Sequence, residues 1–433
     1  MNSSKIHPTL QRALEYTVRA MGEADSAPPE QLPIIVRART ATSATALVRA
    51  IEPDPSYSRT LPLFDAASAL VSPSQILELS DEERVDQIWL DEPVYALLDT
   101  SITNLGIDAI WESGYTGKAI KICIVDSGVD SSHPDLSGSI MAEANFTTEA
   151  AGDLNGHGTH VAGIAAGNGA ASNGLYRGVA PEASLYVAKV LNRSGAGSQS
   201  TVAAALEWAV EKEVDIVNLS FGTHRSSDGT DFLSLACNRL VEMGINVVVA
   251  AGNYGPTPST IGSPASAEDV ITVGAMTDAE EIAHFSSRGP TSDGRTKPDL
   301  LMPGVSIIAA RATQAEMRDV IDSFYARESG TSMSAPHASG VIALMLQANA
   351  TLSPAEIKTI LLASCDPIID VDANTQGAGR LIPARALEMA LRAAAPSDPS
   401  PDDEGAATDG EEEAPTNRPA NERPGCLGRL FMR

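Results

Sequence analysis

Short apolar runs alternate with segments of helical periodicity along most of the chain. A short continuous apolar run fits a strand buried on both faces, whereas apolar residues spaced three or four apart fit an amphipathic helix. Between residues 100 and 392 the predicted strands are 120–125, 185–190, 216–219, 245–250 and 270–273, and the predicted helices are 202–210 and 232–243. The strand at 270–273 is expected to be the last one of the sheet. This alternation predicts an α/β fold with a doubly wound, mostly parallel sheet. Chemistry in such a sheet lies at the carboxyl ends of the strands.

A smaller pattern precedes this one and predicts a separate small α/β domain over residues 32–99. Its predicted elements are strands at 32–38 and 85–90 and helices at 44–51 and 72–79. The second helix has a clear start signal, because Ser72-Pro73-Ser74-Gln75 combines an N-cap serine, a proline at the first helical position and a glutamine at the third. For residues 1–31 the pattern predicts a short polar helix followed by a linker.

The last segment, residues 393–433, differs from the rest in composition. Residues 397–404 and 411–413 are rich in acidic residues, with proline in the first stretch, and they contain few apolar residues, which is typical of disorder. The segment ends on an apolar and basic stretch from Cys426 to Arg433. Both a docking or protease-recognition tag and an inert tail fit that stretch. The chain therefore divides into regions 1–31, 32–99, 100–392 and 393–433.

Composition and charge exclude several classes of partner. The 433 residues are 43% apolar, which is enough to fill a sizeable core. The chain has 30 basic and 56 acidic residues, a net charge of −26 that repels nucleic acid and anionic membranes. No window holds the roughly 18 apolar residues that a membrane helix needs. We therefore expect neither nucleic acid nor a membrane as a partner.

Cysteine usage and the first residues bear on location. The four cysteines, at positions 123, 237, 365 and 426, lack CxxC spacing and are too sparse for a disulfide scaffold. Free thiols in a reducing compartment are the simpler interpretation. Residues 1–8 lack the apolar stretch of a secretory signal. The prediction is a cytoplasmic protein, with export by a non-standard route left open.

An aspartate follows directly on the predicted strand at 120–125. In Val125-Asp126-Ser127-Gly128 the carboxylate of Asp126 is expected to be held at the carboxyl edge of the sheet. An ordinary Asp-Ser-Gly turn fits the same residues.

Two histidines stand three apart in Asn155-Gly156-His157-Gly158-Thr159-His160. That spacing can place both on one helix face, as a metal site would require. The HExxH arrangement and a third ligand are missing, so metal binding is disfavoured. The flanking glycines instead allow a substrate or another backbone to approach His157. A histidine that only caps a turn is the alternative.

A serine and an asparagine complete the set of candidate residues. Ser332, in Gly330-Thr331-Ser332-Met333, precedes the predicted helix through 341–346. A helix N-terminus offers free N–H groups and a positive dipole end, which suits an oxyanion, although serine is also a common N-cap. Asn253 follows the strand at 245–250, where its amide can donate to a developing negative oxygen or form a turn.

The order Asp, His, Ser, in the contexts DSGVD, GHGTHVAG and GTSMSAP, resembles the subtilisin-like serine peptidases, for which that chain order is known. The resemblance covers residues 100–392 and includes the connecting segments 178–181, 218–222, 251–253, 285–290 and 297–300. Residues 288–299 look most like the intracellular-type alkaline subtilases of bacteria. The sequence departs from the family pattern after Ser332, at Ser334 and at His337-Ala338-Ser339. Many relatives have Ala and Val or Cys at these positions.

The resemblance implies a role for each candidate residue in a serine endopeptidase that works through an acyl-enzyme. Asp126 would be the triad carboxylate, His157 the general base and Ser332 the nucleophile. Asn253 and the backbone N–H of Ser332 would form the oxyanion hole. His160 would then be structural.

Substrate binding is also implied by the resemblance. The segment Ser220-Phe221-Gly222 would pair with an extended peptide by strand addition. Together with Ala251, Gly252 and Gly262 it would frame the pocket for the residue before the cut. Because no acidic residue is placed there, the expected preference is for uncharged, apolar or aromatic side chains, with broad tolerance beyond. The expected partners are polypeptide substrates.

Residues 32–99 resemble the propeptide of the family, a small ferredoxin-like α/β module that assists folding and blocks the active site. The chain would then be a zymogen that cuts itself between about residues 94 and 104, leaving a mature N-terminus near 101–104. Catalysis in the family requires no cofactor. Structural calcium is frequent in it, but no unambiguous ligand loop is present, so no metal residue is assigned.

Two other functions remain open at this point. A catalytically silent scaffold of the same fold is disfavoured because all four catalytic positions are filled. An esterase is allowed by the triad, whereas the peptide-pairing segment at 220–222 favours peptides.

Overall fold

The computed structural model describes residues 3–20, 31–51, 58–91, 93–96 and 105–394. Most of the predicted linker, residues 97–104 of the predicted self-cleavage region, and the acidic tail from residue 395 with Cys426 lie outside the described residues. Among the described helices, none combines the length and apolar character that a membrane span requires.

The N-terminal part is a four-stranded antiparallel sheet with helices on one face, in the strand order β2 (Arg59–Leu61), β3 (Ala66–Val71), β1 (Leu32–Ala38) and β4 (Val85–Leu90). Short 3-10 turns lie at Ser3–Lys5 and Pro62–Phe64. The predicted capping box is present, since the Ser72 hydroxyl accepts from the Gln75 N–H and the Gln75 side chain accepts from the Ser72 N–H. The elements are α1 (Pro8–Ala20), β1 (Leu32–Ala38), α2 (Ala41–Ile51), β2 (Arg59–Leu61), β3 (Ala66–Val71), α3 (Pro73–Asp81) and β4 (Val85–Leu90).

This sheet is apolar on both faces. Ile34 and Val36 of β1 pack with Leu10 of α1 in one core, whereas Ile35 between them faces the other way. Because successive side chains in a strand alternate between faces, the continuous apolar run in β1 requires two covering layers. The helices cover one face, and the larger part of the chain covers the other.

The larger part contains the remaining elements. Its helices are α4 (Ile107–Glu112), α5 (His157–Ala166), α6 (Gln199–Glu211), α7 (Phe232–Glu242), α8 (Thr331–Ala348), α9 (Pro354–Ala363), α10 (Ala373–Gln376) and α11 (Pro383–Ala394), with a 3-10 turn at Ala170–Ser172. Its strands, together with the connecting strand β5, are β5 (Pro93–Ala96), β6 (Lys121–Asp126), β7 (Ile140–Asn145), β8 (Ser184–Lys189), β9 (Ala196–Ser198), β10 (Ile216–Leu219), β11 (Phe221–Gly222), β12 (Asn246–Ala250), β13 (Ile271–Met276), β14 (Leu300–Pro303), β15 (Ile307–Ala310), β16 (Asp319–Val320), β17 (Tyr325–Glu328), β18 (Cys365–Asp366) and β19 (Arg380–Leu381).

A nine-stranded sheet in the order β18-β19-β14-β13-β12-β10-β6-β8-β7 forms the centre. All its pairs are parallel except β18 with β19, which confirms the mostly parallel sheet that the sequence predicts. The expectation that 270–273 is the last strand is wrong, because β14, β19 and β18 extend that edge. Strands β18 and β19 have only two residues each, which is too few for a pattern to indicate a strand. Strand β14 has four residues and ends on Pro303, and a proline disfavours the assignment of a central strand. Strand β7, at the opposite edge, is half exposed and lacks an apolar run.

Helices cover both faces of this sheet. Ile122 and Ile124 of β6 pack in one core with α5 and α8, and Cys123 and Val125 pack in the other with α6 and α7. Strand β6 is therefore buried on both sides, and its carboxyl end lies near the first residues of α5 and α8.

Helix α8 carries a histidine whose burial makes the fold sensitive to acid. The Nδ1 atom of His337 lies 2.7 Å from the carbonyl oxygen of Met333, to which it must donate. Burial lowers the pKa of His337 to about 4, from about 6.5 in the unfolded chain. Folding therefore requires the neutral ring. Stability is unaffected above pH ~6.5 and is lost as the pH falls from there toward 4.

We expect His337→Gln, made in a Ser332→Ala background that removes the candidate nucleophile, to flatten the pH dependence of stability. Between pH 6 and 4.5 the slope of unfolding free energy against pH should fall by up to about 1.4 kcal/mol per pH unit. Denaturant unfolding at several pH values measures this slope. His224→Gln, at an exposed histidine, is the control and should leave the slope unchanged. Equal slopes in all three proteins would contradict the account.

Candidate active site

Asp126 and His157 form a buried pair where a strand ends and a helix begins. Asp126 is the last residue of β6, and His157 is the first residue of α5. Oδ1 of Asp126 accepts from Nδ1 of His157 at 2.7 Å and from the N–H of Ser127 at 2.7 Å. Both side chains are shielded from solvent. The pairing fixes the orientation of the imidazole and makes Nδ1 the nitrogen that carries a proton toward Asp126.

Glycine at position 158 makes this approach possible. A Cβ at Gly158 would lie 2.1 Å from the carbonyl oxygen of Gly128 and 3.1 Å from the Cβ of Asp126. Any side chain there would push the first turn of α5 away from the end of β6. The glycine after His157 is thus needed for the contact itself.

A second buried aspartate, Asp153, holds the two segments together. Its carboxylate accepts from the Ser127 hydroxyl, from the Gly156 N–H and from both the N–H and the hydroxyl of Thr159, at 2.7–2.9 Å. Burial raises the pKa of Asp153, and these hydrogen bonds oppose the rise. Sequence reasoning missed this residue, although an aspartate just before a helix start is a recognisable capping signal.

A buried lysine supports the same turn. Nζ of Lys189, at the end of β8, donates to the carbonyl oxygen of Ser127 at 2.7 Å. Burial lowers the pKa of Lys189, while Asp153, Glu149 and Asp126 raise it. This residue was also missed, and its signal is a lone charge at the carboxyl end of an apolar strand.

Ser332 is the second residue of α8, and Gly330 is the N-cap, so Ser332 is not the capping residue of its helix. The Ser332 hydroxyl donates to the carbonyl oxygen of Ser220 at 2.8 Å, and the Ser220 hydroxyl donates to the carbonyl oxygen of Ser332 at 2.8 Å. The two segments are thus joined in both directions directly at the candidate nucleophile.

Asn253 is oriented by the residue before Ser332. Its Oδ1 accepts from the N–H and from the hydroxyl of Thr331, each at 3.0 Å. The Thr331 hydroxyl also accepts from the N–H of Gly252 at 3.0 Å. Because the amide oxygen is used in this way, the NH₂ group of Asn253 is the part that can donate into the cleft.

His160 has a structural environment. Its Nε2 lies 3.1 Å from the carbonyl oxygen of Ile307 and 3.2 Å from that of Ala326. Burial lowers the pKa of His160 to about 3, so the ring is neutral. In the part of the chain that the structure describes, no group of three or more His, Cys, Asp or Glu side chains could hold a metal ion.

The predicted peptide-binding segment forms the edge of a small sheet. Strand β5 lies between β11 and β9 and pairs antiparallel with both. The ring of Phe221 is buried in the core, so Phe221 offers its main chain to β5. The candidate pocket residues are all buried: Ser220, Phe221, Gly222, Ala251, Gly252 and Gly262.

Another cavity, of about 600 Å³, opens beside His157. Charged residues of both signs line it, including Arg193, Arg318 and Glu328. Sequence reasoning did not anticipate this cavity, because its wall comes from the hairpin of β16 and β17.

Comparison with known proteins agrees with this geometry. The family model described as Peptidase S8, Subtilase family, matches residues 117–386. Serine protease AprX of Bacillus subtilis (strain 168) is 39% identical over 343 residues, which are 73% of this chain and 77% of that protein. Subtilisin E of the same organism is 34% identical over 303 residues, 68% of this chain and 74% of that protein. Its major intracellular serine protease is 39% identical over 246 residues, 54% of this chain and 71% of that protein.

The family match covers more than half of the chain and contains Asp126, His157, Asn253 and Ser332. The resemblance stated from the sequence motifs is thereby confirmed. Subtilases need no cofactor for catalysis. The chain belongs to the subtilase family and is a serine endopeptidase.

Proposed function

We propose that this endopeptidase cuts peptide bonds with Asp126, His157 and Ser332 as its triad and that it is made as a self-processing zymogen. The buried 2.7 Å hydrogen bond between Asp126 and His157 carries the proposal. It supplies an oriented imidazole on α5, a helix that packs against α8, and the first turn of α8 holds Ser332.

The reaction begins at the Ser332 hydroxyl. The hydroxyl leaves the carbonyl oxygen of Ser220, turns to Nε2 of His157 and gives up its proton during attack on the scissile carbonyl. Asp126 stabilises the imidazolium that forms. His157 then protonates the leaving amine, and an acyl-enzyme remains on Ser332. Water, activated by His157, releases the acid product.

The negative oxygen of the tetrahedral intermediate receives two donors. These are the NH₂ group of Asn253 and the N–H of Ser332 in the first turn of α8. Thr331 keeps the amide of Asn253 in that orientation, so the donor is in place before charge develops. No metal ion takes part in this scheme.

Substrate preference follows from the lining of the cleft. β11 offers its main chain to an extended peptide, as it does to β5. The pocket for the residue before the cut is framed by Ser220, Ala251, Gly252 and Gly262, none of which is charged. We therefore expect uncharged, apolar or aromatic residues at that position, with broad tolerance elsewhere.

The contacts of the N-terminal sheet support its role as the enzyme's own propeptide. Phe232 of α7 meets the rings of Phe64 and Trp89 edge-on, with centroids 5.8 and 5.5 Å away. The Leu63 N–H donates to Oε1 of Glu207 at 2.7 Å, and burial raises the pKa of Glu207 to about 7. A module held in this way, with β5 in the cleft, would exclude substrate until it is cut off.

A cytoplasmic location is part of the proposal. It is supported by one relative that is named a major intracellular serine protease. Fractionation of producing cells, with detection by antibody, should find the protein in the cytoplasmic fraction, and its accumulation in the medium of intact cells would contradict this.

We expect Ser332→Ala to lose about 10⁶-fold in kcat on casein-derived peptides, the loss known for the nucleophile of a subtilisin.

Asn253→Ala should lose about 10²–10³-fold in kcat, again the magnitude known for this donor in a subtilisin. Its KM should change little, because the donor acts on the transition state. Steady-state kinetics of enzymes without the N-terminal module measures both parameters. Ser332→Ala is not expected to process itself, so its module is cut off by a tagged wild-type enzyme that is removed before the assay.

The matched control is Ser334→Ala, two residues along the same helix. The Ser334 hydroxyl donates to the carbonyl oxygen of Met302 and lies outside the proposed machinery. Its activity should stay within a few-fold of wild type. Equal losses at positions 332 and 334 would mean that damage to α8, and not loss of the nucleophile, explains the result.

Self-processing predicts different masses for wild type and Ser332→Ala prepared in parallel. Wild type should lose an N-terminal fragment that ends between residues 94 and 104, and Ser332→Ala should stay whole. Intact-mass analysis measures this. Identical trimming of both proteins would show that another protease makes the cut.

A further inference from the structure

A cavity of about 260 Å³, the His337 cavity, lies beside α8 and has His337 of that helix in its lining. Its other walls come from α4, α5, the segment 174–179 and the end of β14. None of its described lining residues also lines the charged cavity beside His157. The His337 cavity is therefore separate from the proposed catalytic groups.

Two of its walls nevertheless belong to the helices that carry those groups. Ile164 lies seven residues along α5 from His157, and His337 lies five residues along α8 from Ser332. At the rise of an α-helix these separations are about 10 and 8 Å. A molecule bound in the cavity would contact both helices without touching the reacting atoms.

Most of the side chains that line the His337 cavity are apolar. They include Leu105, Ile107, Trp111, Ile164, Leu175 and Val179. An engineered apolar cavity of about 150 Å³ binds benzene. The His337 cavity is larger, so its volume accommodates a benzene ring with a short apolar substituent.

His337 adds a buried hydrogen-bond acceptor to these apolar walls. The residue is 1% exposed, and its Nδ1 lies 2.7 Å from the carbonyl oxygen of Met333, to which it donates. Because burial lowers the pKa of His337 to about 4, the ring is neutral at physiological pH and has only this one N–H. Nε2 therefore carries a lone pair, and no donor in the described part of the chain is bonded to it.

The other polar side chains of the lining leave this acceptor as the buried group that a ligand can use. Nε1 of Trp111 donates to the carbonyl oxygen of Val179 at 2.9 Å, so Trp111 offers a ligand only its ring. Arg177 and Asp108 are exposed and carry opposite charges. The guanidinium of Arg177 lies over the Trp111 ring, 5.0 Å from its centroid. These opposite charges favour a neutral ligand over an anion or a cation.

We propose that the His337 cavity binds a small neutral phenol, whose O–H donates to Nε2 of His337 and whose ring packs against Trp111 and Leu175. A molecule that fills the cavity excludes water from Nε2, so it must itself supply a donor. A phenol combines one donor with a flat apolar body that can pack against an indole ring. The site goes beyond the proposed peptidase function and does not rest on it.

Two ligands of the same shape test the hydrogen bond. In para-ethyltoluene a methyl group replaces the hydroxyl of para-ethylphenol, so only the donor differs. Isothermal titration of full-length Ser332→Ala, a variant that lacks the candidate nucleophile, should show at least ~10-fold tighter binding of para-ethylphenol, because para-ethyltoluene leaves a buried acceptor unpaired. A cavity without a usable acceptor would prefer the more apolar para-ethyltoluene. Equal affinities, the reverse order or no binding of either ligand would overturn the proposal.

The resonance of the acceptor nitrogen tests the location. In the same protein with ¹⁵N-labelled histidine, para-ethylphenol should move the Nε2 signal of His337 upfield, toward the position of a protonated nitrogen, and para-ethyltoluene should not. His337→Gln identifies this signal among those of the seven histidines by its loss. Binding of para-ethylphenol that leaves the His337 signal in place would show that the phenol binds elsewhere.

A substitution at the mouth of the cavity tests the apolar wall. Leu175 is 73% exposed, so Leu175→Ala leaves the core intact and removes only wall from the cavity. It should weaken the binding of para-ethylphenol by about threefold or more. Ile369→Ala, at an apolar residue that is 86% exposed and does not line the cavity, is the matched control and should bind as the parent does. Equal affinities in the two variants would overturn the assignment of this wall to the site.

Discussion

The buried hydrogen bond between Asp126 and His157 is the constraint on which the site depends. It requires the end of β6 and the start of α5 to come within van der Waals contact, and this explains the glycine at position 158. An ionised aspartate that is buried at this position without hydrogen-bond donors would carry a large desolvation penalty. The N–H of Ser127 and the imidazole of His157 offset that penalty. Asp153 and Lys189 then hold the turn between them without touching the reacting atoms.

The proposed nucleophile is positioned by a different set of contacts. Ser332 lies in the first turn of α8, where it is tied to Ser220 by two hydrogen bonds and where its neighbour Thr331 orients Asn253. One helix start therefore sets the hydroxyl, the backbone donor and the amide donor together. Their relative positions depend on α8 as a unit, so the proposed oxyanion site would be formed before substrate binds.

The position of the N-terminal module follows from the apolar faces of its sheet. Its sheet is apolar on both faces, so it needs a second layer, and the face of α6 and α7 provides that layer. Docking brings β5 to the edge of β11, where an unpaired strand would otherwise be exposed. Burial of one face of the module and the pairing of β5 with β11 therefore accompany each other.

The sequence alone determined the α/β class, the central strands and the four candidate side chains. These features are local: β6 and β12 contain continuous apolar runs, and Asp126, Asn253, His157 and Ser332 stand at strand ends or helix starts. Only the tertiary structure decided which atoms pair. Lys189 reaches Ser127 across 62 residues and Thr331 reaches Asn253 across 78, and such contacts leave no periodic pattern in the chain. The short edge strands β14, β18 and β19, and the register of β5 between β9 and β11, were likewise invisible, because strand pairing depends on neighbours that are distant in sequence.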